Sequence, residues 1–213
     1  MHVHKVFWEQ PYLSEITARI TSINESVVTL DRTIAYAFSG GQESDAGTID
    51  SYKILKAEKV GKNIYYTIHG SHNLKTGDSV LVKIDWERRY RIMRLHFAAE
   101  IILELINQNY NHPEKLGAHI SEEKARLDFR WEGSIADTFD LLSKEMESIV
   151  ERDLEIKSKF IDEENEIRCW EIEGFAEVLC GGTHIKSTGE IGRVALRRNN
   201  IGRGKERIEI YLT

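Results

Sequence analysis

Cysteine is nearly absent from this 213-residue chain, and the two that occur, Cys169 and Cys180, are too few for a disulfide framework. Free thiols suit a reducing compartment, so a cytoplasmic protein is expected. Long uncharged apolar runs are also lacking. Met1 to Arg19 holds none that is bounded by a small-residue cleavage site, and the most apolar helical segment, Ile92 to Ile106, carries Arg94, Glu100 and Glu104. Neither a signal peptide nor a membrane span is therefore expected. The chain shows no low-complexity stretch and no internal repeat. Ser39 to Gly47 is glycine-rich but has no Gly-Lys-Ser/Thr ending and does not fit the dinucleotide fingerprint, so no nucleotide cofactor is expected. Basic residues are in the minority, 29 against 35 acids, and the net charge of −6 argues against a uniformly basic nucleic-acid coat.

What is present describes a globular chain. With 41% hydrophobic residues it can bury a real core, and its length favours two small domains over one large one. From Glu15 to Asp85 the pattern is strand-like: Ile16 to Ile20, Val27 to Leu30, Lys53 to Val60, Ile64 to Ile68 and Ser79 to Ile84. Turn signals at Gly61 to Asn63 and Thr76 to Asp78 separate the last three. Short strands at regular spacing predict a small β-barrel over residues 1–85. At Trp86 the period becomes helical, with Ile92, Leu95, Ala99, Ile102, Leu103 and Ile106 at three- and four-residue steps up to Asn109. That helix opens a second domain, residues 86–213. A second helix is expected from Ser134 to about Leu154, with Ser134 as N-cap and Asp137 as the acidic capping partner. Strands return at Ile156 to Phe160, Ile167 to Ile172, Gly192 to Arg198 and Arg207 to Leu212. The expected class is α+β, with an antiparallel sheet packed on long helices.

Charge is unevenly spread. Acids dominate between Phe139 and Glu173, whereas Ile185 to Thr213 holds Lys186, Arg193, Arg197, Arg198, Arg203, Lys205 and Arg207 against three acids. A second basic cluster is Arg88, Arg89, Arg91 and Arg94. Two basic patches on an acidic body suit local phosphate contact, although solvated faces give the same pattern.

Three segments could carry chemistry. In Cys180-Gly-Gly-Thr-His184 a thiolate and an imidazole are separated by a turn whose glycines permit a sharp reversal, so both can converge on one ion. The bland reading is a buried cysteine and a structural histidine. On the first helix His96 and Glu100 are four residues apart and project from one face, and both can ligate zinc. Alternatively His96 packs against its neighbours and Glu100 faces solvent. Glu100 is flanked by Ala98, Ala99, Ile101 and Ile102, which argues for burial, and a buried carboxylate needs a cation or a donor. Together the two halves form a mixed nitrogen, sulfur and oxygen set, which points to Zn2+ rather than magnesium or calcium. The third segment is Ser39 to Gly47. Its paired glycines permit close backbone approach, and Gln42, Ser44 and Asp45 offer hydrogen bonds; as a plain turn it would look the same.

In combination these segments resemble the alanyl-tRNA editing proteins of the AlaX type, free-standing relatives of the editing domain of alanyl-tRNA synthetase. The resemblance rests on Tyr36 to Gly47, Asp85 to His96, Ser121 to Phe129 and Cys180 to Gly192, in the family's order. Ala37 stands where a proline is usual. The family's helix reads His-x-x-x-His with a threonine after the first histidine, whereas here it is His96-Phe-Ala-Ala-Glu100. The resemblance implies an N-terminal β-barrel followed by an editing domain. It implies zinc ligands at His96, Cys180 and His184, with Glu100 in place of the fourth or acting as a base. It implies zinc-assisted hydrolysis of the ester joining serine, and glycine, to alanine tRNA. Gln42, Gly40, Gly41 and Thr183 would line the substrate site, and Arg88, Arg197, Arg198 and Arg203 would hold acceptor-stem phosphates. Two other readings stay open: a tRNA-binding or regulatory module that lost hydrolysis with the change to Glu100, and a zinc hydrolase of another aminoacyl ester whose pocket is reshaped by Phe97. Oligomeric state is not readable.

Overall fold

The computed structural model describes residues 2–213 as a mixed chain, mostly strands with two α-helices. It divides into two compact units, one running up to Ser39 and resuming at Glu43–Tyr90, the other made of Gly40–Gln42 and Arg91–Thr213.

The first unit contains β1 (His4–Lys5), β2 (Glu15–Asn24), β3 (Val27–Leu30), β4 (Arg32–Thr33), β5 (Gly47–Ile49), β6 (Tyr52–Val60), β7 (Asn63–Ile68) and β8 (Ser79–Ile84). Six of these hydrogen-bond antiparallel in the order β2, β3, β7, β6, β5, β8, and β8 pairs back onto β2 to close the ring. Alternation drives this: β7 buries Ile64, Tyr66 and Ile68, and β8 buries Val80, Val82 and Ile84, each two residues apart. Their side chains meet Ile20, Val28, Leu30, Ile34 and Ile49 in one apolar core.

This unit also holds a buried ion pair. Arg89 is fully buried and bonds Asp45 through both Nε and Nη2, while Nη2 donates to Ile34 O at 2.6 Å and Nη1 to Pro11 O at 3.1 Å. Asp45 Oδ2 in turn accepts from the Tyr36 amide at 2.6 Å. A buried pair with this many satisfied donors is tolerated, whereas removing one partner would strand the other.

Helix α1 (Trp86–Asn109) starts where the helical period begins, capped by Asp85, whose Oδ1 accepts the Arg88 amide at 3.1 Å. It ends as Asn111 and His112 take left-handed backbone, at φ 55° and 51°, just before Pro113. The division between the units falls within it, between Tyr90 and Arg91. From Ile92 to Ile106 most residues are buried, so this stretch is enclosed on more than one side.

The second unit adds β9 (Lys115–Ile120), β10 (Ala125–Arg130), α2 (Phe139–Glu151), β11 (Lys157–Asp162), β12 (Ile167–Ile172), β13 (Ala176–Leu179), β14 (Val194–Gly202) and β15 (Lys205–Leu212). One antiparallel sheet has the order β14, β15, β10, β9, the other β11, β12, β13. Residues 40–42 join this unit through backbone: Gly41 O accepts the Ile120 amide at 2.8 Å.

Three expectations are corrected here. The sheets do not pack on long helices, because only α1 is long, at 24 residues, while α2 has 13. The second helix does not start at Ser134: residues Ile135–Thr138 form a tighter 3-10 turn and α2 begins at Phe139. Ser134 makes no side-chain cap, since the Asp137 amide already bonds the Ser134 carbonyl at 3.2 Å. The capping box lies instead at Ser187 and Glu190, around the 3-10 turn Thr188–Ile191. Strand β14 begins at Val194 rather than Gly192, which ends that turn at φ 71°.

Candidate metal centre

Within the enclosed stretch of α1, His96 and Glu100 share one face, with side chains 5% and 16% exposed. Groups so placed need partners. They find them in each other, His96 Nε2 lying 3.4 Å from Glu100 Oε1, and in Cys180, whose Sγ is 3.4 Å from His96 Nε2 and 3.8 Å from Glu100 Oε1. His184 Nε2 completes the group at 3.3 Å from the same sulfur. The donor atoms of His96, Cys180 and His184 all lie within 4.8 Å of one another. Around a tetrahedral ion with bonds of about 2.0–2.3 Å, donors are roughly 3.3–3.8 Å apart, so this spacing fits a zinc-sized cation. Two nitrogens and a sulfur are also a donor set compatible with zinc.

Each donor is aimed by its surroundings. Cys180 follows β13, and its amide donates to Arg168 O at 2.9 Å, prolonging the ladder with β12. Arg168 Nη1 then donates to Gly182 O at 3.2 Å. Thr183 is held by Gln42: the Thr183 amide donates to Gln42 Oε1 at 3.1 Å, and Gln42 Nε2 donates to Thr183 Oγ1 at 2.8 Å. Gly182 sits so close to the helix that a Cβ there would lie 1.9 Å from His96 Cε1. His184 Nδ1 is 2.8 Å from Ser158 Oγ, which leaves Nε2 to face the sulfur. Trp170 Nε1 donates to Glu100 Oε2 at 2.9 Å. Ser158 and Trp170 are directly opposed across β11 and β12, so one face of that sheet supports both a histidine and the carboxylate.

The electrostatics follow from this crowding. Burial opposes a charge on His96, but the interactions with Cys180 and with the Glu100 carboxylate outweigh it and raise the imidazole pKa well above its usual value. Burial alone would raise Glu100, yet the bonds from His96 and Trp170 prevail and hold its carboxyl low. His184 is pushed down, first by burial and then by the neighbouring His96 charge, which favours the neutral ring.

The sequence-expected residues fare differently. His96, Glu100, Cys180 and His184 are brought together, and Gln42 and Thr183 lie beside them. Gln42 and Thr183 are bonded to each other, which clasps the turn to residues 40–42. Gly41, at φ 91°, lies against β9, where a Cβ would be 2.7 Å from Ala118 O; around Gly40 there is open space. Phe97 is buried core, with ring centroids 5.1 Å from Trp170 and 5.6 Å from His184.

The four arginines of the first cluster each have partners within the chain. Arg89 is buried against Asp45, Arg88 bonds Glu43 at 2.6 Å, Arg91 Nε donates to Glu122 O at 3.1 Å, and Arg94 Nη2 donates to Ile191 O at 2.8 Å. Near the C-terminus Arg198 is engaged by buried Glu206, with Nη2 2.7 Å from Oε1. Arg197 lies over the Tyr211 ring at 4.9 Å, and Arg203 is exposed in the turn between β14 and β15. Ser158, Arg168 and Trp170 were not found from the sequence; the register of β11 against β12 is the signal that would have found them.

Two family models match the chain: tRNA synthetases class II (A) over residues 3–88, and the threonyl and alanyl tRNA synthetase second additional domain over residues 167–209. The alanyl-tRNA editing protein AlaX-M of Pyrococcus horikoshii is 33% identical, covering 98% of this chain and 97% of that protein. The chain belongs to the alanyl-tRNA editing protein family. The AlaX-M of Methanosarcina barkeri is likewise 33% identical, over 95% of both chains. An alanine–tRNA ligase from Ignicoccus hospitalis is 30% identical over 90% of this chain but only 24% of its own length. Within this editing-family chain, Cys180 and His184 fall in the second matched span, whereas His96 and Glu100 lie outside both. Among the described residues no helix is long and apolar enough to cross a membrane.

Proposed function

We propose that this chain is a trans-editing hydrolase that removes serine, and secondarily glycine, from mischarged alanine tRNA by zinc-assisted ester hydrolysis. The observation that carries the reading is the convergence of His96, Cys180 and His184, with Glu100 beside them, in a member of the editing family. A pocket built for alanine cannot strongly reject glycine, and an added hydroxyl gives limited discrimination, so a second inspection of the product has a physical purpose.

His96 Nε2, Cys180 Sγ, His184 Nε2 and Glu100 Oε1 would hold the metal. When bound, zinc supplies Lewis-acid polarisation of an ester oxygen or of water at that position. Ser158 would hold the His184 ring with Nε2 turned to the sulfur, and Gln42 and Arg168 would keep the Cys180 to His184 turn against the helix. Residues 1–85 are assigned as a β-barrel domain and 86–213 as the editing domain. Acceptor-stem phosphates, which position the substrate without reading sequence, would be held by Arg197 and Arg203.

The test is deacylation of seryl-tRNA bearing the alanine anticodon, with and without a chelator. Chelator-sensitive release of serine supports the reading. Binding of that tRNA without any deacylation would make the chain a binding module instead.

A further inference from the structure

Glu100 gives its two oxygens to different partners. Oε1 faces the donor cluster, 3.4 Å from His96 Nε2 and 3.8 Å from Cys180 Sγ, while Oε2 accepts the indole N–H of Trp170 at 2.9 Å. An indole has one donor and no acceptor, so this bond is one-directional and favours the ionised carboxylate. Trp170 is itself fully buried in β12. Its ring is met edge-on by Phe97, at 5.1 Å and 65°, and Phe97 also meets the His184 ring at 5.6 Å and 71°. The terminal torsion of a glutamate is broad and roughly two-fold. With nothing on Oε2 the carboxylate could turn and offer both oxygens to one ion.

We propose that Trp170 is a positioning residue for the candidate metal centre: its indole N–H fixes Glu100 so that Oε1 alone is presented to the cation, and Phe97 braces the indole. This rests on reading His96, Glu100, Cys180 and His184 as a zinc site. One oxygen completes a four-donor set with two nitrogens and a sulfur, the arrangement zinc favours. Two oxygens from a freed carboxylate would raise the donor number, which suits harder ions such as manganese. Trp170 thereby acts on affinity and metal choice together, without touching the ion.

The experiment compares wild type with Trp170→Phe, which keeps a ring and removes the N–H. Zinc affinity is read by competition with a chromophoric chelator, and coordination number by the visible absorption of the Co2+-loaded protein, which is intense for four donors and weak for more. Trp170→Phe should bind zinc about 10–100-fold more weakly, the usual effect of losing a hydrogen bond that orients a ligand. Its Co2+ absorption should fall. In a Glu100→His background, where no carboxylate remains to be oriented, the same substitution should change zinc affinity less than about threefold. A general packing defect would cost as much in both backgrounds and would overturn the proposal. So would a Trp170→Phe protein with wild-type affinity and spectrum. A wild type that binds neither zinc nor Co2+ refutes the site reading itself, so the two failures are distinct. Should Trp170→Phe not fold, the indole N–H resonances of the four tryptophans decide the matter. One of them should shift on Glu100→Gln and on zinc addition; if none does, the proposal fails.

Discussion

Gly182→Ala tests how closely the turn is fitted to the helix. A Cβ at this position would lie 1.9 Å from His96 Cε1, 2.6 Å from His96 Nδ1 and 2.7 Å from Gln42 Oε1. Ordinary carbon–carbon contact is about 3.5–4.0 Å, so the imidazole would have to retreat by roughly 1.6–2 Å. Metal ligands tolerate departures of about 0.2 Å, so such a shift removes His96 from the donor set. Moving the turn instead would break the Gln42 bonds to Thr183 and the Arg168 bond to Gly182 O. Either route loosens the site, and overpacking of this kind costs about 1–3 kcal/mol of stability. Zinc affinity, measured by chelator competition, should fall at least about 100-fold, beyond the effect of removing one supporting hydrogen bond. Gly181→Ala is the control: nothing lies within 4 Å of a Cβ there, so its affinity should stay near wild type. A Gly182→Ala protein that binds zinc like wild type would refute both the close approach and the ligand role of His96.

Glu100→His should keep or raise zinc affinity and deacylation if Glu100 is a ligand; lower turnover with zinc retained would make it a catalytic base instead. Arg198 and Asn200 hold the Glu206 carboxyl at about 2, below its ordinary 4.5, against the opposing effect of burial. A depressed carboxyl adds stability that is fully present above its unfolded value and lost as pH falls through the folded one. Denaturant titrations from pH 6 to 2 should therefore show Glu206→Gln less stable than wild type at pH 6, with the difference vanishing between about 4.5 and 2; a constant difference sinks the assignment. Replacing Arg197 and Arg203 together by alanine should shallow the log-log salt dependence of tRNA binding by about 0.7–0.9 for each phosphate no longer held, whereas an unchanged slope would place the phosphate grip elsewhere.

Period and turn chemistry were legible along the chain, and partners across it were not. The helical step from Ile92 to Ile106 located α1 and placed His96 and Glu100 on one face, because i and i+4 share a face whatever packs against them. The Ser79–Ile84 alternation located β8 for the same reason. The second helix was misjudged because Ser134 and Asp137 satisfy a capping pattern locally, while backbone bonding and Glu206, which bonds the Ile135 backbone from β15, favour a 3-10 turn. Strand β9 was missed because Gly117 interrupts a weak apolar pattern, and β13 because four residues carry little periodicity. Arg89 read as surface charge because its partner, Asp45, is 44 residues away.

The same limit explains which part of the site was visible. His96 with Glu100, and Cys180 with His184, are local pairs, so the sequence could offer each as half of a centre. The groups that fix them come from far off: Trp170 is 70 residues from Glu100, Ser158 is 26 from His184, and Gln42 is 141 from Thr183. These supports are hydrogen bonds of the polypeptide alone, and the turn is tied to β12 and to Gln42 whether or not a cation is bound. In a small zinc module, ordering the ligands and folding the chain are a single event. Here α1 and the strands of the second unit bury Ile92, Leu95, Ile102, Leu127, Phe129 and Ile210, so the donors are ordered as the unit folds. A cation would then meet a preorganised set, and its binding would shift stability by mass action instead of creating the fold. That separation is what lets a substitution such as Trp170→Phe be read as a change in metal affinity in a chain that still folds.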